Sequence, residues 1–238
     1  MFADRAQAIL SEYAEQVRQP DPSYALADFL RHEGFTNLMM REMRNPFEPG
    51  FAEALEYYDG PPALREQWLR RRDALHDIGM RRCRRSGTPV RWSELRTAAR
   101  GPALRIFRDL EEIGWTEGVS MAHVPLDRPA VFVSIAGKVA ATFSDDDLLS
   151  LYVVVTHFVT LWLERNPAPA NDVEQLSPRE VEILAASSAG LTGRQLGETI
   201  GLSPHTVQSY LKSIRMKLGA RSMPHAVQIG LARGLIAA

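Results

Sequence analysis

Two hydrophobic periods alternate along the first two thirds of the chain. Apolar positions recur at helical spacing over Ala3 to Val17, Ser23 to His32, Ala63 to His76 and Ala103 to Ile113. Phe35 to Met43, Gly118 to Val124, Ala130 to Ala136 and Val139 to Phe143 instead show the period of two, with the β-branched and aromatic content of strands. A long helix is predicted from Asp145 to Glu164, with Ser144 placed as its cap. Asp145, Asp146 and Asp147 fall in its first turn, where carboxylates meet the positive end of the helix dipole. The same triplet raises a metal site, but consecutive helical residues point in different directions and no further ligand follows at useful spacing. The pattern predicts an α+β fold, an N-terminal α/β/α sandwich around an antiparallel sheet, followed by a small all-α domain.

Asn166-Pro-Ala-Pro-Ala-Asn-Asp172 breaks the long helix with two prolines and offers no periodic apolar face. Residues 166–174 therefore read as a linker between domains at 1–165 and 175–238. Past it, Ser177-Pro178-Arg179-Glu180 is a capping box that starts a helix, with Pro178 where a missing N–H costs nothing. Val181 and Leu184 carry its apolar stripe and Gly190 ends it. Thr192 to Gln195 forms a second box for a short helix through Leu196 and Ile200, and Gly201-Leu202-Ser203-Pro204 turns the chain into a third. Two helices joined by so short a glycine-containing turn make a helix-turn-helix unit. On the third helix Val207, Tyr210, Leu211, Ile214 and Leu218 fall within about 100° of arc and face inward. His205, Gln208, Ser209, Lys212 and Met216 are left outward, and Gln208 lies one turn from Lys212, a spacing that reaches neighbouring base edges in a major groove. A merely solvated polar face is the alternative, and the two capping boxes with the tight turn weigh against it.

Composition narrows the classes. In 238 residues, 45% are hydrophobic and 24% charged, which is the balance of a soluble globular chain with a substantial core. The N-terminal residues mix charges into every turn and show no signal or membrane stretch, which predicts a cytoplasmic protein without a membrane partner. The one cysteine, Cys83, rules out an internal disulfide and a multi-cysteine metal site. The net charge of −1 conceals an asymmetry: residues 175–238 hold seven Lys and Arg against three Glu, so this part is +4 and the remainder −5. A small basic module can then meet phosphates while the larger part avoids them.

Glu180, Leu184 and Gly190, with Leu202-Ser203, Thr206-Val207 and Lys217-Leu218-Gly219-Ala220, resemble the DNA-binding domain of LuxR-type regulators. The resemblance implies that the helix from Pro204 enters the major groove of promoter DNA through His205, Gln208, Ser209 and Lys212. It implies that Thr192, Ser203, Thr206 and Lys217 hold phosphates. Glu180, Leu184 and Gly190 would be structural, and a last helix near Met223 to Leu235 would help pair two modules. The first domain lacks the acidic cluster and phosphorylatable Asp of a receiver. Instead Trp68, Asp77, Pro89, Trp92-Ser93, Gly118 and the segment Ala130 to Ser134 resemble, in order and spacing, the acyl-homoserine-lactone domain of quorum-sensing LuxR receptors.

That second resemblance implies a small-molecule signal and no other cofactor. Asp77 would accept the signal's amide N–H, Trp92 would line the lactone end, Ser134 would bond the acyl carbonyl, and Leu64, Trp68 and Phe107 would complete the wall. Three departures stand out: the family's lactone-binding Trp position holds Leu64 and its Tyr position holds Trp68, while Ile78 replaces the usual Pro after the Asp. Leu64 cannot donate to a lactone carbonyl, and an unsatisfied acceptor there costs about 1–3 kcal/mol, about ten- to a hundredfold in affinity. The pair resembles a plant-associated branch of the family linked to other signals. The reading is a homodimer on paired half-sites, with Leu149, Val153, Phe158 and Trp162 as a dimer surface and RNA polymerase as a further partner. Its rivals are a regulator whose first domain is only a dimerisation scaffold, and a lactone-processing enzyme using Ser134 or Asp77, for which no nucleophile elbow or paired base is visible.

Overall fold

The computed structural model describes residues 2–15, 20–47, 51–125, 128–167 and 176–236. The chain falls into two compact units, the first ending at Asn166 and the second carrying the helices after Pro167. The predicted linker therefore lies, beyond Pro167, outside the described residues.

The first unit is built on five strands, β1 (Asn37–Glu42), β2 (Glu56–Tyr58), β3 (Val90–Arg91), β4 (Gly118–His123) and β5 (Val131–Ala136), in the order β2-β1-β5-β4-β3, all antiparallel. One face packs on α1 (Phe2–Glu15), α2 (Pro22–His32) and α7 (Asp145–Arg165), where Leu26, Leu38, Val133, Ile135, Leu151 and Phe158 form a closed core. The other face meets α3 (Pro62–Arg71), α4 (Ile78–Ser86), α5 (Trp92–Ala98) and α6 (Pro102–Glu112) through Met80, Cys83, Leu95, Phe107 and Phe132. The α/β/α sandwich thus has one filled layer and one layer with room in it, for α3 buries none of its residues fully. Burial pushes the Cys83 thiol up to about 12, so it is an inert core residue.

The start of α7 is fixed as its sequence asks: the Ser144 hydroxyl accepts the Asp147 N–H while the Asp147 carboxylate accepts the Ser144 N–H. By length and composition α7 could cross a membrane, but eight of its residues are buried inside this unit.

Three expectations change. Val139 to Phe143 is a 3₁₀ helix over Lys138–Thr142 rather than a strand; the chain leaves the sheet at Gly137, whose backbone passes so close to Phe35 that a Cβ would sit 2.8 Å from its Cα. The helix predicted over Ala63 to His76 ends at Arg71, because Arg72 takes a left-handed conformation (φ 52°) and a 3₁₀ turn, Asp73–Leu75, follows. Phe158 and Trp162 belong to the core, leaving Leu149 and Val153 as the exposed apolar residues of α7. The period reading also missed β2, α4, β3 and α5, which are short.

Gly118 carries a testable constraint. A Cβ there would lie 2.5 Å from the Ile135 carbonyl and 2.7 Å from the Trp92 ring. Gly118→Ala is expected to cost about 1–3 kcal/mol through overpacking. Urea unfolding followed by tryptophan fluorescence checks this, since all four tryptophans lie before residue 166.

Candidate functional site

Between the open helix layer and the sheet lies a cleft enclosing about 670 Å³, part of it open to solvent. Leu64 and Trp68, one turn apart on α3, line it together with Asp77, Trp92 and Ser134. A smaller recess continues behind Asp77, Trp92 and Ser134 and is closed by Phe107. Five of the six residues singled out in the first domain therefore line one cavity, and the sixth, Phe107, lines the recess that shares Asp77, Trp92 and Ser134 with it. Sequence reasoning missed Tyr58, Asp73, Asp109, Trp115 and Phe132 in the same wall. Tyr58 and Trp115 did carry a signal, aromatic residues beside Gly60 and Gly114; Asp73 and Asp109 carried none.

The sheet presents Met39, Ser134 and Ser120 in one row across β1, β5 and β4. Ser120 accepts the Trp92 indole N–H at 3.0 Å, which holds that ring flat against Gly118. Asp77 is the N-cap of α4, accepting the Met80 N–H at 3.1 Å. Burial pushes its carboxyl above the usual range, while the Met80 and Gly79 N–H groups oppose the shift. Among the described residues no Lys, Arg or His pairs with it. It is not the surface carboxylate that the neighbouring arginines would allow.

Trp68 is held from the side. It stacks on Phe51 (6.1 Å, 23°), and the guanidinium carbon of Arg41 lies 5.7 Å from its ring and 4.9 Å from that of Phe51. Arg41 is fully buried on the cavity face of β1, donates to the Phe51 carbonyl and pairs with Glu56 at 2.8 Å. Burial lowers the Arg41 pKa and Glu56 opposes that shift. Glu56 pairs with Arg65 as well, at 2.5 Å. Across the cavity, Gly60 lets Tyr58 and Trp115 converge, since a Cβ at that position would stand 2.7 Å from the Trp115 ring.

The second unit packs α8 (Pro178–Ser188), α9 (Gly193–Ile200), α10 (Pro204–Lys217) and α11 (Met223–Ala232) around Ile183, Leu184, Ile214, Leu218 and Ala226. Both capping boxes form, Ser177 with Glu180 and Thr192 with Gln195. The α9–α10 turn is tight because Gly201 is left-handed and Gly197 lies against the Leu202 carbonyl, 2.7 Å from where its Cβ would be. His205, Gln208, Ser209 and Lys212 share the exposed face of α10, with Met216 one turn further on. Thr192 and Ser203 are exposed N-caps of α9 and α10, and the half-buried Thr206 bonds Ser203 at 2.8 Å. Their helix N-termini offer backbone N–H groups suited to an anion. Lys217 differs, since its ammonium pairs with the buried Glu180 at 2.9 Å.

Glu180 does more than the capping box asked of it. It accepts the Ser177 N–H at 2.7 Å, the Ser213 hydroxyl at 2.7 Å and the Lys217 ammonium. Burial by itself would raise its pKa, but the bonds from Ser213, Ser177 and Lys217 outweigh this and hold it at about 2. A folded-state pKa below the unfolded one contributes stability that is present above about pH 4.5 and is lost as the pH falls toward 2. Thermal melts of this unit between pH 5 and pH 2 should show that loss in the wild type and a flatter profile in Glu180→Gln, which should already be less stable at pH 7.

Comparison with known proteins agrees with this geometry. Residues 174–229 match the bacterial regulatory proteins of the luxR family, and residues 23–159 match the autoinducer binding domain. The transcriptional activator BjaR1 of Bradyrhizobium diazoefficiens is 23% identical over 91% of this chain and 90% of its own. The transcriptional activator PhzR of Pseudomonas fluorescens is 26% identical over 72% of each. Among solved structures, Escherichia coli SdiA covers the whole of both chains with a TM-score of 0.67 at 17% identity, a likeness of fold. SdiA in complex with octanoyl-rac-glycerol gives 0.66 at 18% identity over 98% of this chain and 96% of that one. With an autoinducer-binding domain ahead of a helix-turn-helix DNA-binding domain, the chain belongs to the LuxR family of transcriptional regulators rather than to any class of enzyme.

Proposed function

We propose that this protein is a homodimeric transcription factor whose occupancy by a small signal, an acyl homoserine lactone or a related compound, controls its binding to a two-half-site promoter element. The observation that carries the reading is the convergence of Leu64, Trp68, Asp77, Trp92 and Ser134 on one cavity, with Phe107 in the adjoining recess, in the chain that also bears the exposed face of α10. Asp77 accepts an N–H of the signal and Ser134 bonds its carbonyl. Trp68, Trp92 and Phe107 supply apolar contact, and Leu64 marks the departure from the usual lactone pose. On DNA, Gln208 and Lys212 read base edges with His205 and Ser209 beside them, while Thr192, Ser203 and Thr206 hold phosphates. Lys217 serves Glu180 first.

Two copies are needed because one short module reads too few base pairs to find a site in a genome. Leu149 and Val153, one turn apart and more than half exposed, are the apolar surface that a second copy would cover. Regulation of promoters places the protein in the cytoplasm. BjaR1 and PhzR are named activators, and the same role here makes RNA polymerase the further partner.

Gln208→Ala and Lys212→Ala should each weaken operator binding by about 1–3 kcal/mol with unchanged melting curves, read by fluorescence anisotropy on labelled duplex. Wild-type affinity in both variants would refute the recognition face. In a promoter-reporter strain Asp77→Ala should abolish the response to culture extract that activates the wild type, and an unchanged dose–response curve would remove Asp77 from the site.

A further inference from the structure

The cavity is rich in acceptors and aromatic faces. Several of its lining donors are used by the protein itself. The Trp92 indole donates to Ser120, the Tyr58 hydroxyl to the Pro61 carbonyl, Asn37 to Asp59, and Arg65 to Glu56. Two lining carboxylates are held from outside the cavity, Asp73 by Arg105 at 3.0 Å and Asp109 by Arg71 at 2.6 Å. Asp77 differs, because its hydrogen bond comes from a backbone N–H and no guanidinium forms an ion pair with it among the described residues. The rings of Tyr58, Trp68, Trp92, Trp115 and Phe132 line the same cavity.

An acyl homoserine lactone presents two carbonyls and a ring oxygen as acceptors against a single amide N–H donor, and the position that would meet one of its carbonyls with an indole N–H holds Leu64. A ligand that is itself donor-rich fits this wall better. The faces of Trp and Tyr rings attract a cation through their quadrupole, most strongly where water is excluded, and a carboxylate without a counter-ion completes such a site.

We propose that the signal is a small organic cation, an amine carried as its ammonium on a short apolar body, with the ammonium on Asp77 and the aromatic walls of Trp68, Trp92, Trp115 and Tyr58 around it. This rests on the reading of the cavity as the signal site. The raised pKa of Asp77 agrees, since burial there outweighs the Met80 and Gly79 N–H groups and the Arg81 charge that favour the ionised form.

The test uses the full-length protein and three compounds on one six-carbon acyl chain: N-(2-aminoethyl)hexanamide, its neutral counterpart N-(2-hydroxyethyl)hexanamide, and N-hexanoyl homoserine lactone. Isothermal titration at pH 7 should give the ammonium compound an affinity about tenfold or more above the hydroxyl compound and above the lactone. Asp77→Asn should erase that preference. Trp115→Leu, which leaves the α4 cap untouched, should reduce it several-fold even if Asp77→Asn folds poorly. Equal or tighter binding of the hydroxyl compound or the lactone overturns the cationic signal while leaving the cavity as the signal site. Absence of binding by all three overturns both.

Discussion

β5 is buried on both faces and therefore has to satisfy two environments with one alternation. Val131, Val133 and Ile135 face the closed core under α1, α2 and α7, while Phe132, Ser134 and Ala136 face the helix layer that holds the cavity. Its partners on either side repeat the arrangement, so that Met39, Ser134 and Ser120 lie in register. A slip of one residue would put Ser134 into the core and Val133 into the cavity, exchanging the chemistry of every position at once. The filled core on the first face thereby fixes the register on the second.

Local backbone events shape the edge of the helix layer over the cavity. α3 ends at Arg72 in a left-handed turn, the one non-glycine residue with positive φ among those described. The turn redirects the chain so that Asp73 is buried and Asp77 comes to cap α4 while lining the cavity. One carboxylate thus serves a helix terminus and the ligand space together. Binding and the order of α4 are linked in such an arrangement, because whatever contacts Asp77 also acts on the cap, and a ligand that binds the folded state alone stabilises it by mass action.

How far the sequence could be read follows from the same distinctions. The helix-turn-helix unit was legible almost residue by residue, because its boundaries are written in local chemistry: Ser177 with Glu180, Thr192 with Gln195, and glycine at 201. The central strands were legible from their period. The Arg72 turn was not, since arginine carries no signal for a left-handed conformation, and the helix was extended through it to His76. Val139 to Phe143 has the apolar content of a strand, and only the crossing at Gly137 prevents it from joining the sheet. Phe158 and Trp162 looked surplus on α7 because a helix spanning a whole core needs a wider apolar arc than period counting allows. In the cavity, residues that follow the family pattern were found; Tyr58, Asp73, Asp109 and Trp115 come from separate segments that only the fold brings together.

Glu180 ties the first residue before α8 to the last turns of α10 through Ser213 and Lys217, all on the side of α10 turned away from its exposed face. The helix that presents Gln208 and Lys212 is therefore anchored through residues other than those of its exposed row. Substitutions on the outer face can accumulate without disturbing the anchor, and the anchor can be kept unchanged while the outer face drifts. The module can thus change its outward chemistry by exchanging a few side chains, with the scaffold beneath them inherited intact.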